Sequence, residues 1–385
     1  MDYLSEVLKI LEGALKANGS MAVNYAGLLA DKLERDGERQ QARLLREHLA
    51  RAPKALAHAQ DASRGISLGQ PPVDGESRLN TIDISHPQPD REALYLPSAI
   101  KARLEEFILS VQHHDQLAQA GASLPARLLV YGPPGTGKTF LARWIAGRLG
   151  LPLLTVRCDT LVSSMLGQTS RNLRRVFDYA QQSPSVLFLD EFDALAGARG
   201  NERDVGELQR VVIALLQNMD ALPDNCILIA ATNHEQLLDP AIWRRFGFRL
   251  PMPLPDLALR KTLWEKMLGD YLPTKLDLDE LASLSAGTTG ALIQQVCLDS
   301  KRDAVFKGHR VIDENNLFRR LGLTLAIAEG KRLATVEDEI KWLRLWSPKR
   351  FSLRVLASLY NISTRQVTTV VKETESDASQ GRKSE

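Results

Sequence analysis

Apolar residues in the first fifty positions recur every three or four residues. Leu4, Val7, Leu8, Leu11 and Leu15 fall on one helical face, Val23, Ala26, Leu29 and Leu33 on a second, and Ala42, Leu45 and Leu49 on a third. Asn18-Gly19-Ser20 punctuates the first two. The spacing predicts a three-helix module over 1–57 that buries these stripes. Residues 58–91, containing QDASRGISLGQPPVDGESRLNTIDISHPQPD, are rich in Gly, Pro, Ser and Asp and nearly devoid of large apolar side chains, which predicts a flexible linker. From 92 the pattern changes to short apolar runs separated by helical stretches. The runs are ARLLVY (126–131), LPLLTV (151–156), SVLFLD (185–190) and NCILIAAT (225–232). Unbroken runs of that length suit parallel strands covered on both faces. The fold class expected over 92–255 is therefore α/β with a mainly parallel sheet. Beyond Pro251 and Pro255 the strands stop. Residues 256–330 read as a helical lobe, 335–373 as three more helices (about 336–346, 350–360 and 363–373), and 374–385 as a disordered tail.

Composition narrows this little. The 385 residues suggest two or three domains, and a hydrophobic content of 44% supplies an ordinary core. A net charge of +2 excludes a uniformly basic coat but not a local patch. No run approaches the roughly 18 apolar residues of a membrane span, and MDYLSEVLKILEGALK lacks the unbroken apolar stretch of a secretion signal. Cys158, Cys226 and Cys297 are scattered without metal-ligand spacing, as for buried thiols in a reducing compartment. His113-His114-Asp115, the one histidine cluster, reads as polar decoration on a surface helix. A cytoplasmic protein with no membrane partner is expected.

Candidate chemistry begins directly after RLLVY, with GPPGTGKT, Gly132 to Thr139, followed by the helix FLARWIAGRLG. Strand before and helix after is the setting a P-loop requires. Gly132, Gly135 and Gly137 let backbone N–H groups curl around phosphate oxygens, with Pro133, Pro134 and Thr136 completing the loop and Phe140 following it into the helix. That helix turns its positive end to the anion. Lys138 reaches β- and γ-phosphates, and the Thr139 hydroxyl suits Mg²⁺. Fifty residues on, VLFLDE ends an apolar strand with two acids. Asp190 is placed for the hydration shell of the same Mg²⁺, and Glu191 is the candidate base for the attacking water. Asn233, at the end of ILIAAT, is the candidate to orient that water from between the other two elements.

In this order the pieces resemble the AAA branch of the AAA+ ATPases over about 92–330. YGPPGTGKT resembles the family's Walker A, LFLDEFDAL its Walker B, and ATNHEQLLDPAIWRRF its sensor-1 strand and arginine-finger segment. SAGTTGALIQQV resembles the lid region in which small residues, here Gly290 and Ala291, contact ATP. The run LDPAIWRRFGFRLPMPLPD is most similar to the meiotic clade of katanin, spastin and the ESCRT-disassembling ATPase, where an arginine pair, here Arg244 and Arg245, serves as fingers. The resemblance implies a P-loop large domain with a helical lid, ATP and Mg²⁺ as ligands, hydrolysis, and a homo-oligomer, commonly a hexamer. It also implies a pore loop that grips a protein client. In the matching stretch SSMLGQTSRNLRRVF, Met165 stands in the aromatic position and Leu166 and Gly167 follow, a departure that weakens the grip.

The end of the chain points elsewhere. LASLYNISTRQVTTVVK has the layout of a helix-turn-helix, with Ser363 as N-cap, Val367, Val370 and Val371 inward, and Arg365, Gln366, Thr369 and Lys372 outward as candidate DNA contacts. From Lys341 to Lys372 there are seven basic residues (Lys341, Arg344, Lys349, Arg350, Arg354, Arg365, Lys372) and no Asp or Glu. A helical extension bracing the lid or a neighbouring subunit fits the same pattern. The function expected is an oligomeric ATPase that remodels or unfolds a protein client and is tethered to DNA by its tail. The alternative is an ATP-switched DNA-binding regulator of a mobile-element or defence system. A companion protease or nuclease would suit either.

Overall fold

The computed structural model of the chain describes residues 3–15, 19–50, 72, 81–88, 93–161, 168–196, 205–224 and 226–381. Two compact units divide it, Met1–Pro253 and Leu254–Glu385.

The first unit is built on a six-stranded sheet: β1 Ile82–Ser85, β2 Arg127–Tyr131, β3 Leu153–Arg157, β4 Val186–Asp190, β5 Ile227–Thr232 and β6 Phe248–Pro251, in the order β1-β3-β4-β5-β2-β6. β1 runs antiparallel to β3, and the other pairings are parallel. Its main helices are α1 Leu4–Leu15, α2 Gly19–Arg35, α3 Arg39–Ala50, α4 Ser98–Gln112, α5 Lys138–Leu149, α6 Gln168–Ala180 and α7 Val205–Ala221. Alternate strand residues enter two separate cores. Leu129, Leu154, Leu187, Leu189 and Ala230 pack with Leu173 and Phe177 of α6 and Leu215 and Met219 of α7. Leu128, Val130, Val186, Phe188 and Ile229 pack with Leu104 and Phe107 of α4 and Leu141 and Ile145 of α5. Burial on both faces is why the central strands read as unbroken apolar runs.

Two strands escaped the sequence pattern. β1 lies inside the stretch expected to be a flexible linker, and β6 inside the segment recognised only for its arginines. Both are edge strands, half exposed along their length, so neither develops an apolar run. A sharper departure concerns α1. Its leucine stripe faces outward, with Leu4, Val7, Leu8 and Leu11 between 42% and 54% exposed. Glu6 and Lys9 are buried instead, Glu6 paired with Lys32 on α2 at 2.5 Å and Lys9 with Glu12 at 2.9 Å. The N-terminal helices are also anchored to the sheet-bearing body, as Asn24 of α2 donates to the Ser183 hydroxyl at 2.6 Å.

The second unit is helical: α8 Leu257–Leu268, α9 Leu278–Leu284, α10 Gly290–Phe306, α11 Glu314–Ala328, α12 Val336–Trp346, α13 Leu353–Tyr360 and α14 Thr364–Gly381. Side-chain caps mark its helix starts: Asp256, Asp277, Thr289, Asp313 and Ser352, with a reciprocal capping box between Thr335 and Asp338. α14 continues past 373 into the segment expected to be disordered, because no glycine or proline interrupts it before Gly381.

The tail is part of this unit's core. Trp342 on α12 donates its indole N–H to the Gly322 carbonyl of α11 at 2.7 Å. A Cβ on Gly322 would lie 2.7 Å from both Leu343 and Trp346, so the two helices touch through bare backbone. Arg350 pairs with Glu280 and Glu314 and stacks over Phe318, its guanidinium carbon 4.0 Å from the ring centre.

Candidate active site

Three of the sheet's strands deliver the candidate residues to one edge. The register Tyr131↔Thr232 sets Gly132 beside Asn233, and Leu189↔Ala230 brings Asp190 and Glu191 to the end of the same central strand. Since β5 lies between β4 and β2, Asn233 stands between the acidic pair and the glycine loop, as the sequence suggested.

The loop's shape depends on its glycines. Gly132 has φ +143° and Gly137 φ +95°, both outside the range of ordinary residues. A Cβ on Gly132 would stand 2.3 Å from the Met252 carbonyl oxygen, because the chain leaving β6 crosses directly over the loop's start. Thr136 holds the loop's near side by donating to the Pro133 carbonyl at 2.9 Å.

Lys138 begins α5 and is buried. Its ammonium donates to the Gly132 and Pro133 carbonyls at 2.7 and 2.8 Å, and among the described residues no carboxylate comes within ion-pair distance. Burial lowers its pKa, partly offset by the fields of Asp190, Asp193 and Glu235. A buried cation held only by neutral carbonyls fits an incoming anion. Thr139, next along, donates to Asp190 Oδ2 at 2.7 Å. This hydroxyl–carboxylate pair at the loop's mouth is the all-oxygen donor set that Mg²⁺ takes.

Glu191 adopts φ +52°, a left-handed conformation rare for a side chain of its size. That turn lets the chain leave β4 abruptly: its N–H donates to Asp190 Oδ1 at 3.0 Å, and its carbonyl starts the short helix Asp193–Ala196. Strain of this kind, on the order of 1–3 kcal/mol, persists where surrounding structure enforces it. Phe192, fully buried, supplies the anchor. One support was not singled out from sequence: Thr232 donates to Asp193 at 2.8 Å and accepts from the His234 N–H, tying the ends of β4 and β5 together.

Arg244 and Arg245 are elsewhere. They follow the single turn Pro240–Trp243, which Asp239 caps, and precede β6, whose Phe248 pairs with Leu128 near the start of β2. The P-loop leaves the other end of β2, at Tyr131. Five residues of strand span about 13 Å between their end Cα atoms. The two arginines also differ from each other. Arg245 is bound within its own subunit, to Asp220 through two contacts of 2.7 and 2.6 Å and to the Ala241 carbonyl at 3.0 Å. Arg244 is exposed, with no hydrogen-bond or ion-pair partner among the described residues.

Of the remaining candidates, Met165 and Leu166 lie outside the described residues. Gly290 and Ala291 form the first turn of α10, capped by Thr289, in the second unit. On the tail, Arg365, Thr369 and Lys372 are exposed, but the Gln366 side chain accepts from the Ser363 N–H and hydroxyl at 2.9 and 2.8 Å, closing a cap on α14. Arg344 is spent on the Pro348 and Phe351 carbonyls, and Arg350 on its glutamates. Two of the seven basic residues are thus structural. No group of three or more His, Cys, Asp or Glu residues is arranged to hold a metal ion among the described residues, and no described helix is long and apolar enough to cross a membrane.

A strand–glycine loop–helix anion cradle, with a buried lysine inside it and an acidic pair on a neighbouring strand end, defines a P-loop nucleoside triphosphatase. Residues 128–254 match the family described as ATPase family associated with various cellular activities (AAA). Over 293 residues the chain is 33% identical to the uncharacterized AAA family ATPase y4kL of Sinorhizobium fredii, covering 76% of this chain and 87% of that protein. It is 34% identical over 237 residues to the proteasome-activating nucleotidase of Aeropyrum pernix, covering 58% of this chain and 57% of that protein. It is 31% identical over 242 residues to the ATP-dependent zinc metalloprotease FtsH of Acidimicrobium ferrooxidans, covering 61% of this chain but 37% of that protein. The chain belongs to the AAA family of ATPases and is an ATP hydrolase.

Proposed function

We propose that the protein acts as a homo-oligomer in which each ATP is bound by one subunit and hydrolysed with the help of Arg244 from the next, and that the cycle remodels a protein client. The observation carrying this reading is the placement of Arg244, at the edge of the sheet opposite the P-loop. An exposed guanidinium that cannot serve its own subunit's phosphates has the chemistry to stabilise a neighbour's phosphoryl-transfer charge, a contribution of about 10³–10⁵ in rate when supplied in trans.

The other roles follow from position. The loop amides and Lys138 hold the phosphates. Thr139 and Asp190 hold Mg²⁺, which bridges β- and γ-phosphate oxygens and offsets their charge. Glu191 takes the proton of the attacking water, with Asn233 orienting that water. Gly290 and Ala291 are the lid's candidate nucleotide contacts, and Met165 and Leu166 the candidate client contacts. Support for a protein client comes from the relatives' names, a proteasome-activating nucleotidase and a metalloprotease, and from the pore-loop match. Support for a katanin- or spastin-like branch is confined to LDPAIWRRFGFRLPMPLPD. Support for a DNA tether has shrunk to Arg365, Thr369 and Lys372, whereas the packing of α12 on α11 favours a tail that braces the lid.

Arg244→Ala should lower kcat by about 10³-fold or more while nucleotide binding persists. Light scattering with ATP should find an oligomer. Material that stays monomeric with ATP yet hydrolyses it at full rate would refute the shared site. Glu191→Gln should bind ATP without turnover and retain the client. Equal client capture in ATP and ADP would remove the remodelling reading.

A further inference from the structure

Asp220 closes α7 twenty-five residues before Arg245, and nothing in the ATPase motifs assigns it a part. Its carboxylate takes two N–H groups of Arg245 side by side, at 2.7 Å to Nε and 2.6 Å to Nη2. A third N–H goes to the Ala241 carbonyl, the floor of the same turn. Planar two-point contacts of this kind fix direction as well as distance. Both ends of the bridge are anchored. On one side Met219 and Leu222 flank Asp220 and are buried in the sheet's core. On the other, Ile242 and Phe246 flank the arginine pair and enter the same core at 0% exposure. Arg249 closes the far side, donating to the Trp243 and Phe246 carbonyls and lying over the Trp243 ring. The buried Arg127 adds a second positive charge facing Asp220, and both arginines favour the ionised carboxylate. Arg244 is the one member of this run left exposed and uncommitted among the described residues.

We infer that Asp220 is a positioning residue for the arginine finger: by clamping Arg245 it turns Arg245 into a strut and fixes the direction in which Arg244 is offered to the neighbouring subunit's ATP. This rests on the trans-acting role proposed above for Arg244. It separates two arginines that sequence reasoning treated alike. Arg245 has spent three of a guanidinium's five N–H donors inside its own subunit, whereas Arg244 has spent none among the described residues.

The experiment uses the full-length chain and measures steady-state ATPase kinetics, nucleotide binding and melting temperature for Asp220→Asn, Asp220→Glu and Arg244→Ala. An amide cannot return the charge or the two-point contact, so Asp220→Asn should lower kcat about 10- to 100-fold, the usual effect of displacing a catalytic group by about an ångström. ATP affinity should not change, because the nucleotide belongs to another subunit's loop. Asp220→Glu keeps the charge and should recover part of the loss.

Mixing separates cis from trans. Lys138→Ala subunits cannot hold ATP but carry an intact finger segment. Added to Asp220→Asn subunits, they should restore turnover, as they should with Arg244→Ala. If Arg244→Ala alone keeps full activity, the finger reading itself fails. If Arg244→Ala is slow and rescued but Asp220→Asn turns over at or above the wild-type rate, the finger stands and the positioning role is wrong. A slow Asp220→Asn that mixing does not rescue acts within its own subunit and equally overturns the inference. If its melting temperature has fallen, the Glu variant decides: wild-type folding with a partial kcat loss upholds the role, and wild-type folding with wild-type kcat overturns it.

Discussion

Replacing Gly132 by alanine adds one methyl group where the structure leaves no room. Its backbone φ of +143° lies where a Cβ is not tolerated, which costs about 1–3 kcal/mol. The new Cβ would stand 2.3 Å from the Met252 carbonyl oxygen and 3.0 Å from its carbon. Neither is the end of a flexible side chain. Met252 donates its N–H to Tyr131 at 2.7 Å, continuing the β2–β6 pairing. Relief therefore requires a strand to move, and overpacking of that sort costs about 1–3 kcal/mol more. The sum, about 2–6 kcal/mol, corresponds to a fall of about 4–20 °C in the melting temperature of a unit this size. Gly137→Ala is the internal control. Its φ of +95° is also costly, but a Cβ there meets nothing within 4 Å, so about 1–2 kcal/mol is expected. Differential scanning fluorimetry of both variants, with and without ATP, makes the comparison. Gly132→Ala should melt well below Gly137→Ala and lose its ATP-induced rise in melting temperature. Equal melting of the two variants would refute the claim that β6 sets the loop's shape.

Other outcomes follow from burial. Leu8→Glu should change stability by no more than about 0.5 kcal/mol in a denaturant titration, because Leu8 is 54% exposed on α1. Had the leucine stripe faced the core, truncation there would cost about 2–5 kcal/mol. Burial pushes the Cys226 thiol up to about 11 and the Cys297 thiol to about 12. At pH 8 roughly one native Cys226 in 10³ is a thiolate, so native alkylation should be slow and rise about tenfold per pH unit toward 11. Because the folded state keeps protons that the unfolded chain releases above about pH 8.5, these thiols favour the fold below that pH and cease to do so as pH climbs through their raised values. Rapid labelling of native protein at pH 8 would contradict the burial.

What the sequence could announce depended on how each residue is held. β2 to β5 were legible because strands covered on both faces must be apolar throughout, and the phosphate loop because its glycines and lysine are contiguous. β1 and β6 were not, since an edge strand with one partner tolerates the polar alternation of Ile82-Asp83-Ile84-Ser85 or the charge in Phe248-Arg249-Leu250. The stripe on α1 exposes a different limit. Periodicity establishes that a helix has an apolar face but not which neighbour covers it. Here the Glu6–Lys32 and Lys9–Glu12 pairs make the polar face buriable, so the helix docks by that side.

The arginine segment carries the same lesson into the chemistry. Arg244 and Arg245 are adjacent and identical in type, and no pattern of spacing distinguishes them. The distinction comes from Asp220, far enough along the chain that only the packing of Met219 and Phe246 into one core brings the carboxylate within reach. A residue's type and motif nominate it for a reaction, but the contacts already made inside its own subunit determine whether its charge is still available to another. On that ground the exposed arginine is assigned the transition state and the clamped one the scaffold. Swapping the two lesions tests the assignment: Arg245→Lys, which keeps the charge but not the fork, should reproduce the Asp220→Asn defect in kcat rather than the larger loss of Arg244→Ala.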